Sequence, residues 1–169
     1  VKGTLYLYFK TREELFLTLY EQSLMRWSQV LISHLSNAMT SRAYAQKLFT
    51  TAQADGAFLP LLIRLEHVIE HNVSIPRLIK SKQVFKQQVE TVAAPTSTSL
   101  SLNAAQATEV VKTMGVLLIG ATRSDQGPAL DNEALPSDVQ ALIASFASEP
   151  LFVKNAVRII EGIRAETGI

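Results

Sequence analysis

The chain has 169 residues, of which 47% are hydrophobic, and its formal net charge at pH 7 is only +1. This composition excludes a disordered chain and a protein that binds polyanions through bulk positive charge, and the length suffices for one domain with a good core. The chain has no cysteine, which excludes a disulfide framework, a thiolate nucleophile and a thiolate metal site, and which fits a reducing cytoplasm.

The first fifteen residues combine a short, basic, aromatic-rich helix with the capped start of a long one. They read Lys2-Gly3-Thr4-Leu5-Tyr6-Leu7-Tyr8-Phe9, followed by Arg12-Glu13-Glu14-Leu15 after a short gap. This ordered pattern closely resembles the recognition helix and the following linker helix of TetR-family transcriptional regulators. The resemblance implies an all-α, TetR-like fold, in which the recognition helix is followed by a helical ligand-binding and dimerisation domain.

The resemblance also implies a division of the chain into domains. Members of the family carry two further helices before the recognition helix, whereas this chain opens at Val1. A helix-turn-helix needs a first helix that braces the recognition helix across the DNA backbone. We therefore expect residues 1–10 to be the remnant of a helix-turn-helix DNA-binding domain, and residues 11–169 to form the helical ligand-binding and dimerisation domain.

The N-terminal residues of a recognition helix lie against base edges in the major groove, and most neighbouring contacts go to phosphates. Gly3 permits close approach of the backbone to DNA, and the Thr4 side chain suits a phosphate, a base edge or a thymine methyl. Lys10 and Arg12 are equally well explained as solvated charges. The residues that the resemblance assigns to DNA contact are Lys2, Gly3, Thr4, Tyr6, Tyr8, Lys10 and Arg12.

Almost every later segment has the apolar spacing of a helix. Thr11 followed by Glu14 is a capping box, and apolar residues at spacings of three or four continue the first long helix to about Ser36. Asp55-Gly56 predicts a helix end with the glycine in left-handed geometry. The later helices are predicted at about 42–54, 58–72, 75–93, 104–123, from a cap at Ser137, and at about 150–166.

Two segments predict loops instead, because they are rich in Ser, Thr, Pro, Asp and Gly. These are 94–102 and 124–136. No run alternates with period two, which predicts that the chain has no sheet. The longest apolar run, 114–121, is too short to span a bilayer, so we expect no membrane partner.

Three of the predicted helices, at about 42–54, 58–72 and 75–93, would surround a ligand pocket in a TetR-like fold. Ligand pockets are mostly apolar, with a few polar groups that orient the ligand. The candidate lining residues are Phe49, Phe58, Leu62, Phe85 and Met114, with Arg64, His67 and His71 as polar groups. Each apolar candidate is also well explained as ordinary core, and the effector is expected to be small and partly apolar.

The helices near 104–123 and 150–166 carry apolar faces broader than one small core needs. The family pairs these two helices with their copies in a second chain, and a two-fold dimer matches two operator half-sites. We expect a homodimer with interface residues Val110, Met114, Leu117, Leu118, Ala121, Phe152, Ala156, Ile159, Ile160 and Ile163. The alternative is that both helices complete the core of one chain.

Two further patterns have ordinary explanations. His67-Val68-Ile69-Glu70-His71 matches H-x-x-E-H, in which two histidines bind zinc and a glutamate acts as base. A catalytic zinc needs a third protein ligand, and none stands out, so we expect no metal, cofactor or catalytic residue. Arg77, Lys80, Lys82 and Lys86 form a basic cluster that is interpreted as a solvated face.

The favoured hypothesis is a ligand-responsive transcriptional regulator, expected to be a repressor, that binds operator DNA as a homodimer. A small-molecule effector in the core would move the long helix 12–36 and change the separation of the two recognition helices. Two alternatives stay open. One is a small all-α metal-dependent enzyme that uses His67, Glu70 and His71, and the other is a helical interaction module with no DNA role.

Overall fold

The computed structural model describes residues 9–65, 69–124 and 135–166, and in these ranges it is helical throughout apart from turns. They contain one 3₁₀ turn, Glu70–Asn72, and no strand, which confirms the predicted all-α fold. No helix in these ranges has both the length and the apolar character needed to cross a membrane. The α-helices are α1 Arg12–His34, α2 Ser41–Ala54, α3 Phe58–Arg64, α4 Ile75–Leu100, α5 Ala104–Ser124, α6 Ser137–Ser145 and α7 Ser148–Ala165.

Helix α1 starts as the capping box predicts. The Thr11 hydroxyl oxygen accepts a hydrogen bond from the Glu14 backbone N–H at 3.1 Å. The Glu14 carboxylate accepts a hydrogen bond from the backbone N–H of Lys10 at 3.0 Å, one residue before the N-cap Thr11. The Thr11 hydroxyl also donates to the backbone oxygen of Asn72, at 3.4 Å. The start of α1 is therefore held both by its own cap and by the 3₁₀ turn.

The predicted loop at 94–102 is wrong, because α4 continues to Leu100. Pro95 lies inside the helix, where the missing N–H normally costs about 3 kcal/mol. Tertiary burial offsets that cost, since this last part of α4 lies against the core. The Thr96 side chain is fully buried and its hydroxyl is 2.9 Å from that of Tyr44 on α2. Burial of this segment outweighs its weak helix propensity.

The end of α2 also differs from the prediction. None of the described glycines has a positive φ, so Gly56 is not the left-handed cap. Instead α2 ends at Asp55 in extended conformation. The Asp55 carboxylate accepts from the N–H groups of Ala57 and Phe58, at 3.0 and 3.1 Å. One aspartate therefore closes the turn and caps α3, which a short polar side chain does well.

Two other predicted helices differ in extent or placement. In the region predicted as one helix, 58–72, the α-helix ends at Arg64, Leu65 and Ile69 are in π-helical conformation, and a 3₁₀ turn occupies Glu70–Asn72. The cap predicted at Ser137 is wrong, because Ser137 is already the first residue of α6 and no side chain caps that helix. Helix α6 buries no residue, and Leu142 is 60% exposed.

The core is formed by the inner faces of the other helices. Helix α4 packs against α1 and α5, α2 packs against α7, and α5 packs against α7. The start of α5 is capped by reciprocal hydrogen bonds between Asn103 and Gln106, at 2.9 and 3.1 Å. The Gln106 side chain also donates to the backbone oxygens of Ile163 and Glu166. The start of α5 therefore lies beside the end of α7, and the two helices run antiparallel.

A polar cluster joins the ends of three helices. The Glu161 carboxylate of α7 accepts a hydrogen bond from the Ser41 hydroxyl, at the start of α2. It also accepts from Arg164 at 2.6 Å, and Arg164 donates to the Leu100 backbone oxygen of α4 at 3.0 Å. The hydrogen bonds from Ser41 and then Arg164 lower the pKa of Glu161.

This cluster should make stability depend on pH in the acid range. A carboxylate whose folded pKa lies below its unfolded value, about 4.3, stabilises the fold fully above that unfolded value. We expect Glu161→Gln to be less stable than the wild type at pH 7. The difference in the free energy of unfolding between the two proteins should shrink as the pH falls from about 4 through the folded pKa of Glu161. Urea unfolding at stepped pH measures this, and Ser41→Ala should flatten the dependence. A constant difference down to pH 2 would contradict it.

Candidate ligand-binding cavity

A cavity of about 310 Å³ is lined by side chains of α1, α3, α4 and α5. A smaller lobe of about 60 Å³ adjoins it and lies against the aromatic residues of α1 and α3. The larger lobe is also lined by Leu65, Ser81, Lys82, Val116 and Ile119. The residues that line both lobes are Tyr20, Leu62, Phe85, Lys112 and Gly115. The volume of the larger lobe is at the lower end of the range for ligand pockets, about 300–1,000 Å³.

The apolar stripe of α1 supplies the aromatic wall. Tyr20, Leu24 and Trp27 are spaced by four and three residues and therefore share one helix face. The Trp27 ring stacks on Phe58 with 4.7 Å between centroids, and the Tyr20 ring stacks on Phe58 at 6.4 Å. The indole N–H of Trp27 donates to the Thr51 hydroxyl at 3.2 Å. Because its polar atom is bonded to α2, the indole presents an apolar surface to the cavity.

Tyr20 is the buried polar group of this wall. The residue is 2% exposed, and its buried hydroxyl oxygen has no hydrogen-bond partner among the residues that the structure describes. Burial raises the pKa of the Tyr20 phenol well above its usual value, and the nearby carboxylates of Glu70 and Glu21 raise it further. The hydroxyl therefore keeps its proton near neutral pH and remains a hydrogen-bond donor.

Removing this hydroxyl should stabilise the ligand-free protein. A buried polar group without a partner costs about 1–3 kcal/mol, so we expect Tyr20→Phe to raise the free energy of unfolding by about 1 kcal/mol. Tyr44→Phe is the matched control, because it deletes a buried hydroxyl that is bonded to Thr96. That change should instead lower the free energy of unfolding by about 1–3 kcal/mol. Urea unfolding separates the two, and equal effects would refute the assignment.

Two lysines provide the positive charge of the cavity. Lys82 lines the larger lobe and forms an ion pair with Glu70 at 2.7 Å, with 53% of the lysine side chain exposed. Lys112 lines both lobes and forms no ion pair within the described ranges. A Cβ added at Gly115 would meet no atom within 4 Å. This glycine therefore adds open space to the wall beside Lys112.

The structure brings together only some of the predicted pocket residues. Phe58, Leu62 and Phe85 line the cavity. Phe49 and Met114 line neither lobe and are buried in the core, where Phe49 lies 5.4 Å from the Phe152 ring. Arg64 and His71 are exposed and line neither lobe, and His67 lies outside the described residues.

Sequence reasoning missed the contributions of α1 and of the lysines. The apolar stripe that contains Tyr20 and Trp27 was visible in the sequence. Such a stripe predicts core packing, and only the tertiary structure shows that a cavity lies beside it. Lys82 belonged to the cluster interpreted as a solvated face. Nothing in the sequence singled out Lys112, since an exposed lysine on a helix carries no local signal of a cavity.

Most residues predicted to contact DNA lie outside the described residues, namely Lys2, Gly3, Thr4, Tyr6 and Tyr8. Lys10 is described and is exposed. The Arg12 side chain is 71% exposed and forms an ion pair with Glu13 at 3.3 Å. Its guanidinium lies 5.8 Å from the centre of the Phe16 ring.

The zinc motif finds little support in the described residues. Glu70 is engaged by Lys82, His71 is exposed, and His67 is not described. In the ranges that the structure covers, no group of three His, Asp or Glu side chains is placed to hold a metal ion.

Most of the predicted dimer residues are buried within a single chain. The exceptions are Leu117 and Ile159, which are half-buried. The apolar stripes of α5 and α7 face one core, and side chains buried inside one chain offer no surface to a second. The eight predicted interface residues that lie in this core are Val110, Met114, Leu118, Ala121, Phe152, Ala156, Ile160 and Ile163.

Accessible residues of α5 and α7 lie next to these buried stripes, and we call them the α5–α7 face. It consists of Thr113, Leu117 and Gly120 of α5 with Asn155, Ile159 and Gly162 of α7, all half-buried or exposed. Spacings of four and three place each trio on one side of its helix. The α5 trio shares its side with Gln106, which bonds to α7. The two trios therefore border the seam between the helices.

A comparison with known families gives a match over most of the chain. The model of the family described as "Tetracyclin repressor-like, C-terminal domain" matches residues 21–167. This range contains most of α1 and all of the later helices, and it includes every residue of the α5–α7 face. No curated protein gives a significant match to the chain.

Proposed function

We propose a function from one premise: this chain belongs to the tetracycline repressor-like, or TetR, family. It is a non-enzymatic transcriptional regulator, a repressor, that binds operator DNA as a homodimer in the cytoplasm and is switched by a small effector. The observation that carries the proposal is the cavity, because one of its walls is α1. In the sequence, that helix follows residues 1–10, which are proposed to belong to the DNA-binding domain, ahead of the ligand-binding and dimerisation domain at 11–169.

The contacts of α1 indicate how an effector acts on DNA binding. Helix α1 is joined to α4 by a bidentate ion pair, in which Arg77 donates to Glu21 at 2.7 and 2.8 Å. Arg77 also donates to the Thr18 hydroxyl at 3.1 Å. A ligand between α1 and α4 changes the position of α1 against this anchor. In a dimer, that change alters the separation of two recognition helices, and only one separation fits successive major-groove half-sites.

The ion pair between Arg77 and Glu21 should be measurable by a double-mutant cycle. The two side chains are only 19% and 13% exposed, so their attraction is screened less than that of a surface pair. We expect a coupling energy of about 1–2 kcal/mol from Arg77→Gln, Glu21→Gln and the double variant in urea unfolding. The control cycle on Lys86 and Glu90, which are 74% and 59% exposed, should give less than about 0.5 kcal/mol. Similar coupling in both cycles would contradict this anchor.

The homodimer is proposed to form through the α5–α7 face. Leu117 and Ile159 supply apolar contact, and the exposed Gly120 and Gly162 permit close approach of a second pair of helices. An added Cβ at either glycine meets nothing within 4 Å, so this surface is open in one chain. A two-fold arrangement of the face would bring four helices together.

The test is a selection from random duplex DNA by the full-length protein, together with analytical ultracentrifugation. We expect a dimer that enriches a two-fold symmetric site, with half-sites about one helical turn apart. Added salt should weaken binding steeply, because the contacts are mostly to phosphates. A monomeric protein that enriches no sequence would refute the proposal.

A further inference from the structure

We infer that the effector is an amphipathic organic acid, with an apolar body in the aromatic part of the cavity and a carboxylate bound by Lys112 beside Lys82. The inference rests on the proposed function, because it names the ligand class of the same cavity. It goes beyond that proposal because it assigns the charge of the ligand, its orientation in the cavity and the residue, Lys112, that distinguishes an acid from an amine.

The apolar part of the ligand follows from the distribution of side chains. Lys112 lines both lobes. The smaller lobe also contains Trp27, Phe58 and Val92, with Ser28 and Gln88, whereas the larger lobe adds a second lysine, Lys82, and Ser81. The aromatic side chains therefore lie at one end of the cavity and the second lysine at the other. A ligand with a hydrophobic group at one end and a polar group at the other matches this arrangement in one orientation.

The sign of the polar end follows from the charges. Two lysines line the cavity, and none of the described lining residues is acidic. Glu70 offsets Lys82, which it contacts at 2.7 Å, but Lys112 has no such partner in the described ranges. An anion at Lys112 gains a charge-assisted hydrogen bond. A cation there meets two like charges, so the lining selects against it.

The hydroxyl of Tyr20 is a second candidate donor. Tyr20 lines both lobes, and its buried hydroxyl has no hydrogen-bond partner among the described residues. A buried donor of this kind is satisfied by an acceptor oxygen, and a carboxylate has acceptor sites to spare for more than one donor. Lys112 therefore favours an oxyanion over an amine, and the Tyr20 hydroxyl can serve that oxyanion as a second donor.

Binding can be followed with the protein's own fluorescence, because Trp27 is the single tryptophan and lies in the cavity wall. The probes are 4-phenylbutanoate, its amide and 4-phenylbutylamine, which share one apolar body and differ at the polar end. We expect the acid to change the Trp27 emission and to bind about tenfold more tightly than the amide. The amine should bind more weakly than the amide.

Variants of Lys112 identify the source of the preference. Lys112→Met keeps an unbranched stem without the charge, so it should lower the affinity for the acid about tenfold and leave that for the amide unchanged. Lys112→Arg should retain the preference for the acid. Lys154→Met, at an exposed position on α7, is the control and should change neither affinity.

Tyr20→Phe tests the second contact. This substitution should lower the affinity for the acid several-fold while the protein remains at least as stable as the wild type. A loss of affinity would then not result from a loss of folding. The inference is wrong if the amide or the amine binds as tightly as the acid, if Lys112→Met keeps the full preference, or if none of the probes binds. The proposed function is judged separately, since DNA selection and ultracentrifugation use no ligand.

Discussion

Replacement of Phe58 by alanine should lower the free energy of unfolding by about 3–5 kcal/mol. Phe58 is 2% exposed, and its ring stacks on both Tyr20 and Trp27. Truncation removes this buried area and both aromatic contacts, and the space it leaves joins a cavity that is already present. For a domain of this size, such a loss corresponds to a fall in Tm of roughly 10 °C. Urea and thermal unfolding both measure it.

Phe85→Ala is the matched control for this effect. Phe85 lines the same cavity but is 42% exposed, so its truncation removes less buried area. We expect a loss of about 1 kcal/mol or less. If the two variants lost similar stability, Phe58 would not be the buried centre of the aromatic wall.

Leu117→Glu should convert the proposed dimer into a monomer and weaken operator binding by at least about a hundredfold. Leu117 is half-buried in the centre of the α5 trio. A two-fold interface would place both copies of the new carboxylate in the same apolar contact, which disfavours association. Operator affinity falls with it, because a dimer gains about 10²–10⁴ from engaging two linked half-sites. Ultracentrifugation and operator titration measure the two effects.

The control for the dimer is Leu19→Glu, which places the same charge at an apolar position of α1 that is 40% exposed. This variant should remain a dimer. Retention of the dimer by Leu117→Glu, with unchanged operator affinity, would show that the α5–α7 face is not the interface. Dissociation of both variants would point to general instability, which the unfolding free energy of each variant would reveal.

The sequence by itself determined the helical class and several helix starts. Thr11 with Glu14 predicted the start of α1, and the helix predicted at about 104–123 begins at Ala104 as α5. These signals are local, because a cap is made by residues within one turn and an apolar stripe repeats every three or four residues. The family pattern at residues 2–15 added a hypothesis about DNA that the described residues leave as a proposal.

Only the tertiary structure decided which side of each helix is buried and where the packing leaves a gap. Pro95 stays inside α4 because Thr96 is buried against Tyr44, a contact between residues far apart in the chain. The apolar stripes of α5 and α7 face a shared core, so most of the residues expected between two chains lie within one. Lys112 became a candidate ligand-binding residue for the same reason, because helix packing places it beside a cavity. The spacing of neighbouring residues in the sequence does not predict such long-range packing.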